Sequence, residues 1–446
     1  MLKTKLVASA ALITLLSSTS ALAASDKDIE ALRAEIQNMK QTYEGRIAEL
    51  ESKLTKVEQK QEVAEVKPAA PASSGKKIFD NSFNPSIGVI LNGQYRNFSQ
   101  SENEIAGFAI GEEGERGSEG IKVDHTELNF SANVDDKFYG SMTAAIADHH
   151  GSTEIELEEA YVQTLPGFGL PDGLSIKAGR ALWTLGYLNE HHAHADDFAD
   201  RPLPYRVFLN QSFNDDGAEF SYVLPTDFYS EIGGGLFRGD DFPSGGADGE
   251  GSAAYSLFAR VGGDIGEDQS WRLGGSLLST KAGDRDSNEH GVEFAGDTDL
   301  YIADLRYTWA PTGNAKNQEL ILQGEYFWRS EDGEYEDTAA GLSSDFDENS
   351  SGWYGQAIYK FAPQWRVGYR FTQLEAADVP TGLVGSALDS NGYDPYIHSV
   401  MADWTNSEFS RVRLQYNNDK TVDGETDNQF IIQYVMSLGA HGAHKY

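Results

Sequence analysis

At 446 residues the chain has room for two or three ordinary domains, or for one large β-barrel. Its 70 acidic and 35 basic residues leave a formal net charge of -35, which excludes nucleic acid as a partner because phosphate binding needs the opposite sign. Cysteine is absent, so no disulfide framework holds the fold.

Lys3 and Lys5 precede an apolar run over 6–16, and Ala21-Leu22-Ala23 places small residues at the two recognition positions of a cleavage site. Residues 1–23 therefore read as a secretory signal peptide, the run being too short to span a membrane as a helix. Over 24–62, Ile29, Leu32, Ile36, Met39, Tyr43, Leu50 and Val57 fall on a and d positions of a heptad. The pattern predicts a periplasmic coiled-coil helix. A coiled coil needs partner copies, so a homotrimer is expected, with peptidoglycan as a further contact. Residues 63–84, including Lys67-Pro68-Ala69-Ala70-Pro71-Ala72-Ser73-Ser74-Gly75, have the composition of a linker.

From 85 to 446 the period changes to two. Ile87, Val89, Leu91 and Tyr95 alternate with polar or small residues, as do Leu128, Phe130, Ala132 and Val134. Similar runs recur to 428–438 and bring the count to sixteen. Seven short turns alternate with eight mostly longer polar breaks, at 99–120, 147–153, 181–216, 238–253, 281–297, 330–351, 375–394 and 419–427. Short periplasmic turns facing long external loops are the habit of transmembrane barrels. The fold class expected is all-β, an antiparallel barrel of about sixteen strands in the cell outer membrane, bounded by lipid and lipopolysaccharide.

The break at 181–216 is third on the external side and the longest, so it is expected to fold inward and narrow the barrel. It holds His191, His192 and His194, followed by Asp196 and Asp197. Imidazole and carboxylate are the ligands that zinc and related divalent ions take. His149 and His150, in the second external loop, are candidate additional ligands. A transient divalent metal such as zinc is the group implied, and no resident cofactor is required. Glu154, Glu156 and Glu158 alternate onto one face of a strand, and lipid would penalise them, so they are expected to line the pore. Arg180 and Arg201 are expected to oppose them there. Neither a Gly-x-Ser-x-Gly element nor His-Glu-x-x-His occurs, and no catalytic constellation is assigned.

Signal peptide, coiled coil, Pro/Ala linker and sixteen-stranded barrel together resemble the phosphate-selective porins of Gram-negative outer membranes. The closest local match is Glu159-Ala160-Tyr161-Val162 followed by Leu174-Ser175-Ile176-Lys177-Ala178-Gly179-Arg180. That resemblance implies a trimer. It does not carry over anion selection, since the sequence shows no clustering of Lys and Arg. A second stretch, Gly186-Tyr187-Leu188-Asn189-Glu190-His191-His192-Ala193-His194, with Pro202-Leu203-Pro204-Tyr205-Arg206-Val207-Phe208 and Gly239-Asp240-Asp241-Phe242-Pro243, is similar to proteins labelled zinc-regulated outer-membrane receptors. The expectation is passive diffusion of small solutes with a preference for cations, serving divalent-metal uptake through the third loop. The alternative is a non-conducting receptor or adhesin whose acidic loops bind a ligand or surface.

Overall fold

In the computed structural model, residues 85–101, 104–123, 126–149, 152–245, 253–287 and 291–439 are described. The signal peptide, coiled coil and linker expected over 1–84 lie outside the described residues, as does His150. The side chains of His149 and Glu154 also lie outside them.

The strands are β1 (Ser86–Asn97), β2 (Gly120–Val123), β3 (Thr126–Asn133), β4 (Phe138–His149), β5 (Ser152–Thr164), β6 (Leu174–Leu182), β7 (Asn214–Val223), β8 (Tyr229–Phe237), β9 (Ala254–Ile265), β10 (Gln269–Ser287), β11 (Val292–Trp309), β12 (Glu319–Asp337), β13 (Leu342–Ala362), β14 (Trp365–Glu375), β15 (Tyr396–Ser407), β16 (Ser410–Lys420) and β17 (Asp427–Gly439). From β3 onward each strand pairs antiparallel with the next in sequence, and β1 pairs with β17 to close the ring. The short β2 and β3 both pair with β1, over Gly93–Arg96 and Ser86–Ile90. They share one track, and the barrel has sixteen strands. Closure leaves no sheet edge to satisfy, which a hydrocarbon surround demands.

Burial is inverted relative to a soluble protein. Apolar side chains such as Leu91, Leu236, Leu305, Tyr326, Val400 and Leu414 are exposed on the outer face. Asn92, Gln94, Gln356, Arg370, Arg413 and Asn417 are buried inside. Alternation at period two produces both faces from the same strands. No helix among the described residues is long and apolar enough to cross a membrane, which says nothing about strands.

Two expected loops are strands instead. β10, β11, β12 and β13 run 19, 18, 19 and 21 residues, where about ten suffice to span lipid. The described parts of the polar stretches 281–297 and 330–351 are thus largely sheet, with a turn over 338–341 in the second. The inner side of this extension buries Phe294, Tyr335 and Phe346 against Leu383 and Leu388 of the connection between β14 and β15. That packing explains why such acidic segments hold a sheet at all.

Candidate functional site

The connection from β6 to β7, residues 183–213, is here called L3. It leaves the wall at Trp183 and folds into the lumen as two single 3-10 turns and one short helix, α1 (Leu203–Phe208). Trp183 Nε1 donates to the Asp215 carbonyl at 2.8 Å. Asn189 Nδ2 donates to the carbonyls of Trp183 and Phe213, and its Oδ1 accepts from Phe213 N at 2.7 Å, so one side chain staples the two ends of the loop. Pro202 and Pro204 bracket the first residue of α1, a position where proline suits a helix start. Leu203, Tyr205, Val207 and Phe208 then join Leu278, Leu300, Ile302 and Phe327 of the wall in one apolar cluster. The buried Glu325 carboxylate of β12 accepts from Tyr187 N, Leu188 N, Tyr205 OH and Tyr354 OH. Gly186, at φ +64, permits this approach, because a Cβ there would stand 2.2 Å from Glu325 Oε2.

L3 reaches the wall on several sides. Toward β9, Glu190 pairs with Arg260. Toward β14, Asp197 Oδ1 meets Arg366 Nη1 at 2.7 Å, and Arg366 also pairs with Asp403, which holds Arg413 Nε at 2.8 Å. Asp200 meets Arg370 Nη2 at 2.5 Å and accepts from Gln415 and Asn417 at 2.7 Å each. Arg411 and Arg413 donate to the carbonyls of His194 and Asp196. Arg260, Arg366, Arg370, Arg411 and Arg413 thus form an inner-face arginine array that sequence spacing did not reveal. Arg366 and Arg370 share β14 and Arg411 and Arg413 share β16, with Asp403 of the intervening β15 joining Arg366 to Arg413, whereas Arg260 stands apart on β9.

The array decides what the candidate ligands do. Asp197 and Asp200 are compensated: burial would raise both carboxyls, and Arg366 and Arg370 respectively hold them below the usual range. Asp196 faces Arg201 at 3.1 Å, yet burial outweighs that guanidinium and raises its carboxyl. Arg201 further donates to the carbonyls of Gln211 and His191, so it braces the loop internally. His191 Nδ1 donates to the Tyr187 carbonyl at 2.9 Å, and burial depresses its imidazole. Arg180 is not on the pore side. It stands in register with Ala160 and Asp216, on the face of the outward Phe220, and pairs with Asp216 Oδ1 at 2.8 Å.

His192 and His194 turn the other way, to the wall of β3 and β5. His194 Nδ1 donates to Glu127 Oε1 at 2.7 Å. His192 Nδ1 stands 3.4 Å from Glu127 Oε2 and 3.2 Å from Glu158 Oε2, with Nε2 3.0 Å from Glu159 Oε2. Burial alone would depress the His192 imidazole, and the carboxylates of Glu127, Glu158 and Glu159 instead hold it well above its ordinary value. Glu156 shares the inner face of Ala145, directly opposite it. The five-residue cluster in sequence is therefore split in space: His192 and His194 face one wall, Asp197 faces another, and His191 and Asp196 are held within L3. Glu127 and Glu159 were missed. Glu127 carried a signal, an acid on the polar side of an alternating strand.

No known family profile matches the chain. An uncharacterized protein of Aquifex aeolicus (strain VF5) is 27% identical over 394 residues, 82% of this chain and 80% of that one. Among solved structures, the outer membrane channel DcaP of Acinetobacter baumannii aligns with a TM-score of 0.50 at 12% identity, over 79% of this chain and 97% of that chain. An anion-selective porin from Comamonas acidovorans aligns at 0.50 and 10% identity, over 79% and 99%. OmpF of Salmonella typhi, solved with daunomycin, aligns at 0.50 and 11% identity, over 80% and 98%. The likeness is one of fold: a closed, sixteen-stranded antiparallel β-barrel.

Proposed function

We propose that the chain is an outer-membrane porin through which small solutes diffuse passively, that cations pass more readily than anions, and that divalent metal ions are among its solutes. The observation that carries the reading is L3, a loop lodged in the lumen of a closed barrel, where it sets what can pass. A net charge of -35 supports the preference for cations. A trimer is the assembly this reading proposes. Ile121 and Ile155, 89% and 78% exposed on the β2–β5 wall, are apolar positions that partner copies would cover. One feature favours the second reading, a barrel used only as an anchor: the apolar cluster of L3 and wall fills part of the lumen.

Planar-bilayer recording on the folded full chain separates the two. A stable open current whose reversal potential in a potassium chloride gradient has the sign of cation permeation is expected, and a zinc chloride gradient should carry current as well. An anion-signed reversal overturns the preference. No current at all hands the protein to the anchor reading.

A further inference from the structure

The geometry points to an open divalent-metal site between L3 and the barrel wall, with Glu127 of β3, Glu158 of β5 and His192 of L3 as its ligands. It deepens the reading above, and depends on it only for metal ions reaching the lumen. The three ligand atoms lie within 4.8 Å of one another. Two of the separations, 3.4 Å and 3.2 Å from His192 Nδ1 to the glutamate oxygens, match the ligand-to-ligand spacing of about 3.4 Å that a tetrahedral shell of ~2.0–2.2 Å bonds requires. Little movement is needed to close such a shell.

The groups behind the ligands are also in place. A histidine that binds metal through one nitrogen usually presents the other to a carboxylate, which fixes the ring. Here His192 turns Nδ1 to the cluster and Nε2 to Glu159 Oε2. A ligating carboxylate is likewise held by an outer donor, and His194 Nδ1 supplies one to the second oxygen of Glu127. Two of the three ligands are carboxylates and Glu159 stands behind the third, so even with Lys177 acting on Glu159 the site concentrates negative charge. A divalent cation neutralises it where burial makes it costly.

Backbone geometry puts both acids of β5 within reach. In the pairing of β4 with β5, Ala144 faces Leu157 and Thr143 faces Glu159, which leaves Glu158 as an extra residue at a bulge. Strict alternation would send either Glu158 or Glu159 outward to lipid. The bulge re-aims the chain so that both meet His192, a recurrent use of that irregularity. Three protein ligands leave a fourth position for water or an exchanging group, which suits an ion held in passing.

Zinc is the probe. Folded full chain in detergent, stripped with chelator, is titrated with zinc chloride calorimetrically. One zinc per chain is expected. His192→Ala and Glu158→Gln should each weaken binding at least tenfold, and Asp332→Asn, on the distant outer face, should not change it. Glu158→Gln is the safer variant for folding, since the amide keeps the shape of a partly exposed side chain. No stoichiometric zinc, or equal affinity in wild type and both site variants, overturns the site. Bilayer current is recorded on the same preparations: a zinc-binding barrel without current sinks the porin reading alone, and a conducting barrel indifferent to zinc sinks the site alone.

Discussion

Asp241, in the connection between β8 and β9, shows how charge is crowded at the rim. Burial and the Asp215 carboxylate push its carboxyl up to about 6, with Arg180 opposing and Asp216 and Asp240 adding. A free Asp titrates at about 3.9, so between about pH 4 and 6 the folded chain binds more protons than the unfolded one. Stability from this group is therefore greatest in acid and falls as pH rises through that window. Asp241→Asn should raise the heat-modification midpoint in detergent at pH 7.5, by a stabilisation on the order of 2–3 kcal/mol, and leave it unchanged below pH 4. Equal effects at both pH values would contradict the assignment. The side chains of L3 itself were only half legible. His-His-Ala-His-Ala-Asp-Asp concentrates ligand types, but three of its side chains find their partners on strands far away in sequence: Glu159 for His192, Glu127 for His194, Arg366 for Asp197. Linear spacing holds no record of those distances.

Among elements, L3 and the β10–β13 extension differ in how well the sequence announced them. L3 was recognisable as the longest break in an alternating pattern. The extension was not, although it alternates apart from one irregularity in β10 between Ala282 and Arg285. Tyr335 lies between Glu334 and Glu336, and Phe346 between Asp345 and Asp347, with the aromatic residues inward. A strand with a solvated outer face has no need of apolar residues there, so its polarity mimics a loop. L3 is held less by propensity than by anchors, and Asp200 is the one most fully engaged, with Arg370, Gln415 and Asn417 on its two oxygens. Arg370 is 2% exposed. Asp200→Ala strands that guanidinium in the wall, where losing one member of a buried pair costs about 3 kcal/mol, less here because Asp200 keeps some solvent contact. The expected results are faster hydrogen exchange over 195–201 and a larger, noisier single-channel conductance. Unchanged exchange and conductance would show that α1 and the Glu325 carboxylate hold L3 without this anchor.

The whole molecule separates charge by height as well as by face. In the lumen, acids and arginines largely meet one another, as Asp197–Arg366 and Asp200–Arg370 do. Above the lipid band the balance fails. The Tyr301 and Trp328 rings, 5.3 Å apart between centroids, are outer-face neighbours on β11 and β12. Farther along the same strands, Asp297, Asp332 and Asp347 stand directly opposite one another across β11, β12 and β13, and Glu334 faces Asp345. Like charges in such register are each unfavourable by up to ~1 kcal/mol, tolerable only because all three aspartates are exposed to water and salt. Their field draws cations toward the external mouth without touching the constriction. Asp297→Asn, Asp332→Asn and Asp347→Asn together should therefore stabilise the hairpins and lower the cation preference where the Debye length is about 30 Å, near 0.01 M salt. At 1 M salt, where screening acts within about 3 Å, the triple variant should match wild type. A shift of equal size at both concentrations would instead place the selectivity at short range, with L3 and the acids around His192.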